Sequence, residues 1–191
     1  REQVLENMID TIIHRGPDSS GKFVDEDAAL GFRRLSIIDL SESGDQPLYN
    51  EDRSKVLVFN GEIYNYQELR EELIQAGHTF VSNTDSETLI HGYEQWGEEL
   101  VYRLRGMYAF AIWDQKAKRL FSARDIFGIK PLYYAQMNGT LMFGSEIKSF
   151  LEHPKFDKVF NEDALGNYLS FQFVPTNETF FKGVFCVQPG Q

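Results

Sequence analysis

The sequence has only one cysteine and no long apolar run. With Cys186 as the single cysteine among 191 residues, neither an internal disulfide nor a cysteine-ligated zinc site can form. No apolar stretch approaches the roughly 20 residues that cross a bilayer, and the acidic, amphipathic opening REQVLENMID is unlike a signal peptide. These absences predict a cytoplasmic protein without a membrane partner.

Basic residues and cofactor motifs are also scarce. The chain has 19 Lys and Arg against 29 Asp and Glu, a formal net charge of −10, so its average surface would repel a nucleic acid. It has no Walker-type phosphate loop and no GxGxxG fingerprint, so no nucleotide site is predicted. His14 has no cysteine or second histidine near it in sequence, so no metal site is predicted either. Cys186, in the apolar run GVFCV, is expected to be a buried small hydrophobe.

The residues that are present indicate one mixed domain over 1–191. Apolar spacing predicts helices at 2–13, 66–76 and 162–169, and another that begins at Thr84, where Thr84-x-x-Glu87 has the form of a capping box. Short aromatic and β-branched segments predict strands, namely AALGFRR, KVLVF, MYAFAIWD, RLFSAR, PLYYA and TLMFG. The turn segment 124–134 is predicted to form a hairpin with an internal Arg–Asp pair. Helices around mainly antiparallel strands favour an α+β fold, a four-layer α/β/β/α sandwich of two packed sheets.

The segment Asn60-Gly61-Glu62 follows the strand KVLVF and precedes a helix, so it presents an amide, a bare backbone N–H and a carboxylate at the end of that strand. The Asn60 side chain and the Gly61 N–H could donate jointly to a developing oxyanion, while Glu62 accepts from an ammonium group. The alternative is an ordinary Asn-Gly turn followed by an exposed carboxylate.

Two further charged residues are candidates for a binding site. Arg34 ends the strand AALGFRR, and a planar guanidinium can bind a carboxylate through two hydrogen bonds. The alternative is a structural salt bridge with Asp39 or a more distant acid. Asp85 could face a substrate amino group, or it could simply interact with the helix dipole at the start of its helix.

Seven motifs occur together in the order and approximate spacing of a known family: HRGPD, RRLSIID, QPLYN, NGEIYNY, TDSE, RDIFGIKPLYY and GSEIKSF. On these motifs the chain resembles the N-terminal glutaminase domain of glutamine-dependent asparagine synthetases. The resemblance covers nearly the whole chain and implies the α/β/β/α sandwich of N-terminal-nucleophile hydrolases. It also implies hydrolysis of glutamine to glutamate and ammonia for the ATP-dependent amidation of aspartate to asparagine.

The resemblance assigns roles to matching positions. Asn60 and Gly61 would form the oxyanion hole, Arg34 would hold the substrate α-carboxylate, and Glu62 and Asp85 would share its α-ammonium group. The backbone around Ile37 and Ile38 would line the same pocket. A free amino acid carries both charges, so this set of residues is suited to a zwitterion.

The chain departs from the family at its start, because family members begin Cys-Gly-Ile and this sequence begins Arg1-Glu2-Gln3. On the resemblance, a short N-terminal strand and the nucleophilic cysteine would be missing, and the chain as given would be inactive. The synthetase domain, which would bind ATP and Mg²⁺, would also lie outside these residues, so no cofactor is expected within them.

L-Glutamine and the protein's own synthetase domain are the expected partners, and a homodimer is a candidate assembly. Two alternatives stay open. The parent enzyme could amidate another acceptor, as related amidotransferases do. The chain could also be a glutamine-binding module without catalytic activity.

Overall fold

The computed structural model describes residues 1–35 and 44–191. Within these ranges, none of the helices has the length and apolar character needed to cross a lipid bilayer. The predicted pocket residues Ile37 and Ile38, and the candidate ion-pair partner Asp39, lie outside the described residues.

Antiparallel strands make up three sheets in the described part of the chain. The first sheet is the hairpin β1–β2, and the second has the order β3-β4-β5-β6. The third has the order β8-β7-β9. The strands are β1 (Ser19–Val24), β2 (Ala29–Arg34), β3 (Leu48–Tyr49), β4 (Lys55–Ile63), β5 (Gly106–Asp114), β6 (Arg119–Arg124), β7 (Tyr133–Met137), β8 (Thr140–Gly144) and β9 (Val184–Cys186).

The four α-helices of the described residues lie where apolar spacing predicted them, and the predicted ends differ by up to three residues. They are α1 (Glu2–Asp10), α2 (Tyr66–Gln75), α3 (Asp85–Trp96) and α4 (Glu162–Phe171), with short 3-10 helices at Ile13–Arg15, Gly97–Tyr102 and Ile147–Glu152. The backbone of Gly77, just after α2, has a φ of 103°, a conformation that only glycine adopts easily, so this residue ends the helix as expected.

The elements stack as a sandwich. One core packs α2 and α3 against the outer face of the four-stranded sheet, through residues such as Leu69, Leu89 and Phe110. A second core lies on the opposite face of the same sheet, where Val58 of β4 meets Leu30 of β2. Helix α1 packs on β2 and on the 3-10 helix Ile147–Glu152. The layers are therefore α2 and α3, the β3–β6 sheet, a second β layer and α1, which confirms the α+β sandwich.

The second β layer differs from the predicted single sheet, because it consists of the β1–β2 hairpin and the three-stranded sheet as separate units. Met8 of α1 packs on the core of the three-stranded sheet, formed by residues such as Met142 and Phe150. The helix therefore bridges the two units of this layer.

Two local predictions are wrong. Asn60, Gly61 and Glu62 lie within β4 and pair with β5, rather than at the end of a shorter strand. Segment 124–134 is not a hairpin, because β6 and β7 belong to different sheets. Asp125 accepts hydrogen bonds from backbone N–H groups, and Arg124 donates to carbonyl oxygens of Gly128, Lys130 and Val187, so no Arg–Asp pair forms between them. The backbone groups of this segment have no strand partner, so they form hydrogen bonds with both charged side chains instead.

Candidate active site

The side chain of Asn60 is the most unusual polar group on β4. Its Nδ2 atom is buried and has no hydrogen-bond partner among residues 1–35 and 44–191. A buried donor without a partner costs about 1–3 kcal/mol, so such atoms are rare in folded proteins unless a ligand or water completes them. Asn60 also lines a cavity, so its amide is available to a group that enters there.

The backbone N–H of Gly61 faces the free edge of β4. In an antiparallel ladder, alternate N–H groups point to the same side, and the neighbours at 59 and 63 show which side this is. The Phe59 N–H donates to Gln46 Oε1 at 2.6 Å, and the Ile63 N–H donates to Asp85 Oδ2 at 2.8 Å, both away from β5. The Gly61 N–H thus lies between two N–H groups that are bound by side chains.

Position 61 also requires glycine, because β5 approaches the backbone closely there. A Cβ atom at this position would lie 2.2 Å from the Met107 carbonyl oxygen and 2.7 Å from Tyr108 Cα. Any other residue would push β4 away from β5 and displace the Asn60 amide with it. The motif is therefore a constrained strand position, and the alternative of an ordinary turn is wrong.

Asp85 is the first residue of α3 and is buried. Burial raises the pKa of its carboxyl above the ordinary value, and the negative charge of Glu62 raises it further, although the hydrogen bond from Ile63 opposes the shift. Two carboxylates thus act on each other at the junction of β4 and α3. A cation placed between them would relieve this repulsion.

Glu87 does not close the predicted capping box. Thr84 is the N-cap of α3, but its side chain makes no capping hydrogen bond. The Glu87 carboxylate instead accepts from the backbone N–H groups of Val81 and Ser82 at 2.7 and 2.8 Å, and from the Ser82 hydroxyl at 2.6 Å. Glu87 therefore fixes the loop that leads to Asp85, rather than the N-cap itself.

Arg34, at the end of β2, is buried and makes an ion pair with Asp45. Its Nη1 donates to Asp45 Oδ1 at 2.7 Å, and the same oxygen accepts from the Ser19 hydroxyl at 2.8 Å. A Cβ atom at Gly44 would lie 2.4 Å from Arg34 Nη2 and 3.0 Å from Thr84 Cγ2, so the guanidinium sits beside the start of α3. The salt-bridge interpretation of Arg34 is confirmed with Asp45 as partner, and its contact with a substrate stays a prediction.

Comparison with known proteins gives this arrangement a family. Residues 1–191 match the glutamine amidotransferase domain family. The chain belongs to that family. It is 49% identical to glutamine-hydrolysing asparagine synthetase 1 of Bacillus subtilis, over 100% of this chain and 30% of that protein. It is 40% identical to amidase chyE of Penicillium rubens, over 97% of this chain and 27% of that protein.

The fold has a counterpart among solved structures. Glutamine phosphoribosylpyrophosphate amidotransferase of B. subtilis superposes with a TM-score of 0.64 at 20% identity, over 78% of this chain and 40% of that one. The chain is thus a glutamine amidotransferase domain homologous to the N-terminal domain of glutamine-hydrolysing asparagine synthetases. It spans less than a third of the length of the two curated relatives described above.

In this amidotransferase domain, one cavity of about 990 Å³ brings most of the predicted residues together. Arg34, Asn60, Gly61 and Asp85 line the end of the cavity at β4 and α3, which then continues between the sheets towards α1. Glu62 does not line the cavity but is close enough to Asp85 for its charge to affect that carboxyl. Three separate parts of the sequence thus meet at one end of the cavity.

Sequence reasoning missed three residues that build this end of the cavity. Gln46 accepts from Phe59 N–H and donates to the Phe59 carbonyl at 3.2 Å, so its amide continues the ladder along the edge of β4. Asp45 pairs with Arg34, and Gly44 lets the loop backbone lie against the guanidinium. The motif QPLYN was the available signal for Gln46, but its side-chain role depends on contacts far apart in sequence.

Proposed function

We propose that this cavity binds L-glutamine and that, in the intact protein, the domain hydrolyses the glutamine side-chain amide to glutamate and ammonia. The buried, unpartnered Nδ2 atom of Asn60 carries the proposal. When a nucleophile attacks the amide carbon, the carbonyl oxygen gains negative charge and needs donors that are already in place. Asn60 Nδ2 and the neighbouring Gly61 N–H are suited to that oxygen.

The other charged residues are proposed to recognise the amino-acid end of glutamine. Asp85, with Glu62 nearby, would hold the α-ammonium group, whose positive charge offsets the cost of two adjacent carboxylates. Arg34 would bind the α-carboxylate by charge-assisted hydrogen bonds while Asp45 orients its guanidinium. The Arg34 guanidinium and the carboxylates of Asp85 and Glu62 would thus favour free glutamine, because a glutamine residue within a peptide has neither a charged α-ammonium group nor an α-carboxylate.

We propose that Cys186 is not the nucleophile of this reaction. It lies in β9, half-buried, where its Sγ is 3.1 Å from Arg124 Nη1, and it does not line the cavity. The prediction of a small buried hydrophobe is therefore wrong for this residue, since it is only half-buried and its thiol faces a guanidinium. Because Cys186 is the single cysteine of the sequence, we expect the 191-residue chain to bind glutamine without hydrolysing it.

Calorimetric titration of the chain with L-glutamine tests the binding site. We expect saturable binding that is lost with N-acetyl-L-glutamine, which has no ammonium group, and with L-glutamine amidated at its α-carboxyl. Asp85→Asn should weaken L-glutamine binding, whereas Asp163→Asn on the exposed start of α4 serves as a matched control. Equal binding of glutamine and its N-acetyl form would remove Asp85 and Glu62 from the site.

We further propose that the ammonia serves a synthetase domain that amidates aspartate with ATP and Mg²⁺. Support comes from a patch of exposed apolar side chains on α4 and the segment after it, formed by Leu165, Leu169, Phe171 and Phe173. Such contiguous apolar surface is typical of an interaction site. In the intact enzyme, Leu169→Glu should reduce glutamine-dependent asparagine formation and leave glutamine hydrolysis in place.

Two other functions deserve a direct test. An enzyme with another acceptor is favoured by the 40% identity to amidase chyE, a protein whose name is not that of an asparagine synthetase. A glutamine-binding module without catalysis is favoured by the position of Cys186 outside the cavity. Product analysis of the intact protein with glutamine, ATP and a panel of carboxylic acids separates these two functions from asparagine synthesis.

A further inference from the structure

A cluster of histidines and carboxylates lies away from the glutamine site, around His91 of α3. It brings together His91 of α3, His78 of the loop after α2, and Glu51 of the turn between β3 and β4. Within the described residues, one possible ligand atom from each of these three side chains lies within 4.8 Å of the other two. None of the three side chains lines the cavity proposed for glutamine.

A second carboxylate faces the same point. Glu94 Oε2 lies 3.2 Å from His91 Nδ1 and 3.9 Å from His78 Nδ1, and Glu51 Oε1 lies 3.8 Å from His91 Nδ1. Glu94 therefore adds a second carboxylate oxygen beside the two imidazole nitrogens. Four ligands at about 2.0–2.2 Å from a tetrahedral zinc ion lie a little over 3 Å apart, so small side-chain rotations would bring these atoms into coordination.

The other ring nitrogen of each histidine has its own partner. His78 Nε2 is 3.2 Å from Gln95 Oε1, and His91 Nε2 is 3.6 Å from Glu87 Oε1. Metal-binding histidines commonly donate their second N–H to a carboxylate or carbonyl oxygen, which fixes the tautomer and the ring orientation. Both histidines of this cluster have such an oxygen on the side away from Glu94.

We propose that His78, His91, Glu51 and Glu94 form a binding site for a divalent transition metal of the zinc class. Two imidazoles with carboxylates match the preference of zinc, whereas calcium and magnesium require mainly oxygen ligands. The His91 ring is held in place, since it is almost fully buried and Phe80 packs edge-on against it.

A bound metal would join elements that carry the glutamine site. Glu51 precedes β4, the strand of Asn60 and Gly61, and His91 lies on the helix that begins with Asp85. Glu87, beside His91, fixes the loop before Asp85. The metal would therefore act as a structural crosslink between β4 and α3. It takes no part in glutamine hydrolysis, so the two proposals can fail independently.

Zinc titration of the chelator-treated chain, followed by calorimetry, tests the site. We expect one zinc ion per chain and a higher melting temperature with zinc. Bound cobalt should show the intense visible bands of tetrahedral coordination.

Variants at the cluster decide whether this is the site. His78→Ala, in the loop after α2, and Glu51→Gln, at an exposed turn position, are expected to weaken zinc binding beyond the roughly 10- to 100-fold loss typical of an outer-shell change. Gln95→Ala should weaken it by roughly 10-fold. His153→Ala and His14→Ala are matched controls and should bind zinc like the parent chain. Absence of saturable binding, or binding that survives in His78→Ala and Glu51→Gln, would overturn the proposal.

Discussion

Two buried aspartates of this domain show what distinguishes a structural carboxylate from one poised for a ligand. Asp125 accepts from the backbone N–H groups of Tyr108, Phe127, Ile129 and Lys130 at 2.9–3.2 Å. Burial alone would raise its pKa, but these hydrogen bonds lower the pKa below the ordinary value. Asp85 is similarly buried, yet burial and the charge of Glu62 raise its pKa. The fold therefore stabilises the negative charge of Asp125 with hydrogen bonds. At Asp85 the hydrogen bonds do not offset the effects of burial and of the Glu62 charge.

The largest effect on stability is expected at Asp125. Asp125→Asn replaces an acceptor oxygen with an amide that faces backbone N–H groups, so we expect the free energy of unfolding to fall by about 3 kcal/mol. Urea denaturation measures this loss. Asp163→Asn, on the exposed start of α4, is the matched control and should change stability by less than about 0.5 kcal/mol. Equal losses in the two variants would contradict the comparison.

The lowered pKa of Asp125 also determines how the stability of the fold changes with pH. A carboxyl whose folded pKa lies below its ordinary value of 3.8 stabilises the fold fully above that value. The contribution is lost as the pH falls through the lower, folded pKa. The stability difference between the parent chain and Asp125→Asn should therefore narrow in acid, as denaturation at a series of pH values will show.

The largest effect on catalysis is expected at Asn60. In the intact enzyme, Asn60→Ala should lower kcat for glutamine hydrolysis by about 100- to 1,000-fold with little change in KM, because its amide acts on charge that develops during attack. Stability should not fall, since Nδ2 has no partner to lose in the described structure.

Asn65 is the matched control for Asn60. Its side chain donates to the Arg103 carbonyl and accepts from the Arg105 N–H, each at 2.9 Å. Asn65→Ala should therefore reduce stability by about 1 kcal/mol and leave kcat unchanged. An unchanged kcat in Asn60→Ala would remove the oxyanion-hole assignment.

A smaller effect is expected at Arg34. Lysine cannot reproduce the paired hydrogen bonds of a guanidinium with a carboxylate, so Arg34→Lys should raise KM for glutamine by roughly 10- to 100-fold, the value of one to two charge-assisted hydrogen bonds. Synthesis from ammonia should be unaffected. The neighbouring Arg33, which pairs with Asp10, provides the control Arg33→Lys. Equal loss of ammonia-dependent synthesis in Arg34→Lys would assign Arg34 to structure alone.

Glu62 should contribute less than Arg34, because Asp85 retains the contact with the ammonium group. We expect Glu62→Gln to raise KM for glutamine by a few-fold to roughly 10-fold, which is typical of one partly exposed charge pair, with kcat nearly constant. Steady-state kinetics of the intact enzyme measure both constants. A change confined to kcat would place Glu62 near the reacting amide instead.

The smallest effect on stability is expected at Asp85, and it tests the comparison with Asp125 directly. Asp85→Asn keeps an oxygen for the Ile63 N–H and removes a charge that the fold compensates poorly. We therefore expect its free energy of unfolding at neutral pH to be unchanged or raised by up to about 1 kcal/mol, in contrast to Asp125→Asn. A loss as large as that of Asp125→Asn would show that Asp85 is also a structural residue.

Hydrophobic spacing was sufficient to predict the helices and most strands, because a buried stripe or alternating face is a local property of the sequence. RLFSAR and TLMFG coincide with β6 and β8 at both ends. The prediction failed where polar groups decide the backbone path. Segment 124–134 has the composition of a hairpin, yet Asp125 and Arg124 bind backbone groups and direct the chain from one sheet to another.

The candidate site could be predicted in part. Arg34, Asn60, Gly61 and Asp85, which the family resemblance assigns to one pocket, all line the cavity, and their roles there stay predictions. The pairing of Arg34 with Asp45, the Gln46 contacts with Phe59 and the role of Glu87 could not be predicted, because each joins a side chain to an atom whose position depends on the packing of the sheets.

The sequence by itself determined the element types, the acidic surface and the motifs that identify an amidotransferase domain, since these follow from residue identity and local spacing. Only the tertiary structure decided which polar atoms are satisfied. Asn60 Nδ2 is left without a partner, whereas the carboxylate of Asp125 is surrounded by donors. Tertiary structure also decided that His78 and His91 meet beside Glu51, because the loop before α3 folds back on that helix. Hydrogen bonds and metal ligands depend on distances of a few ångström, and those distances arise only when the layers pack.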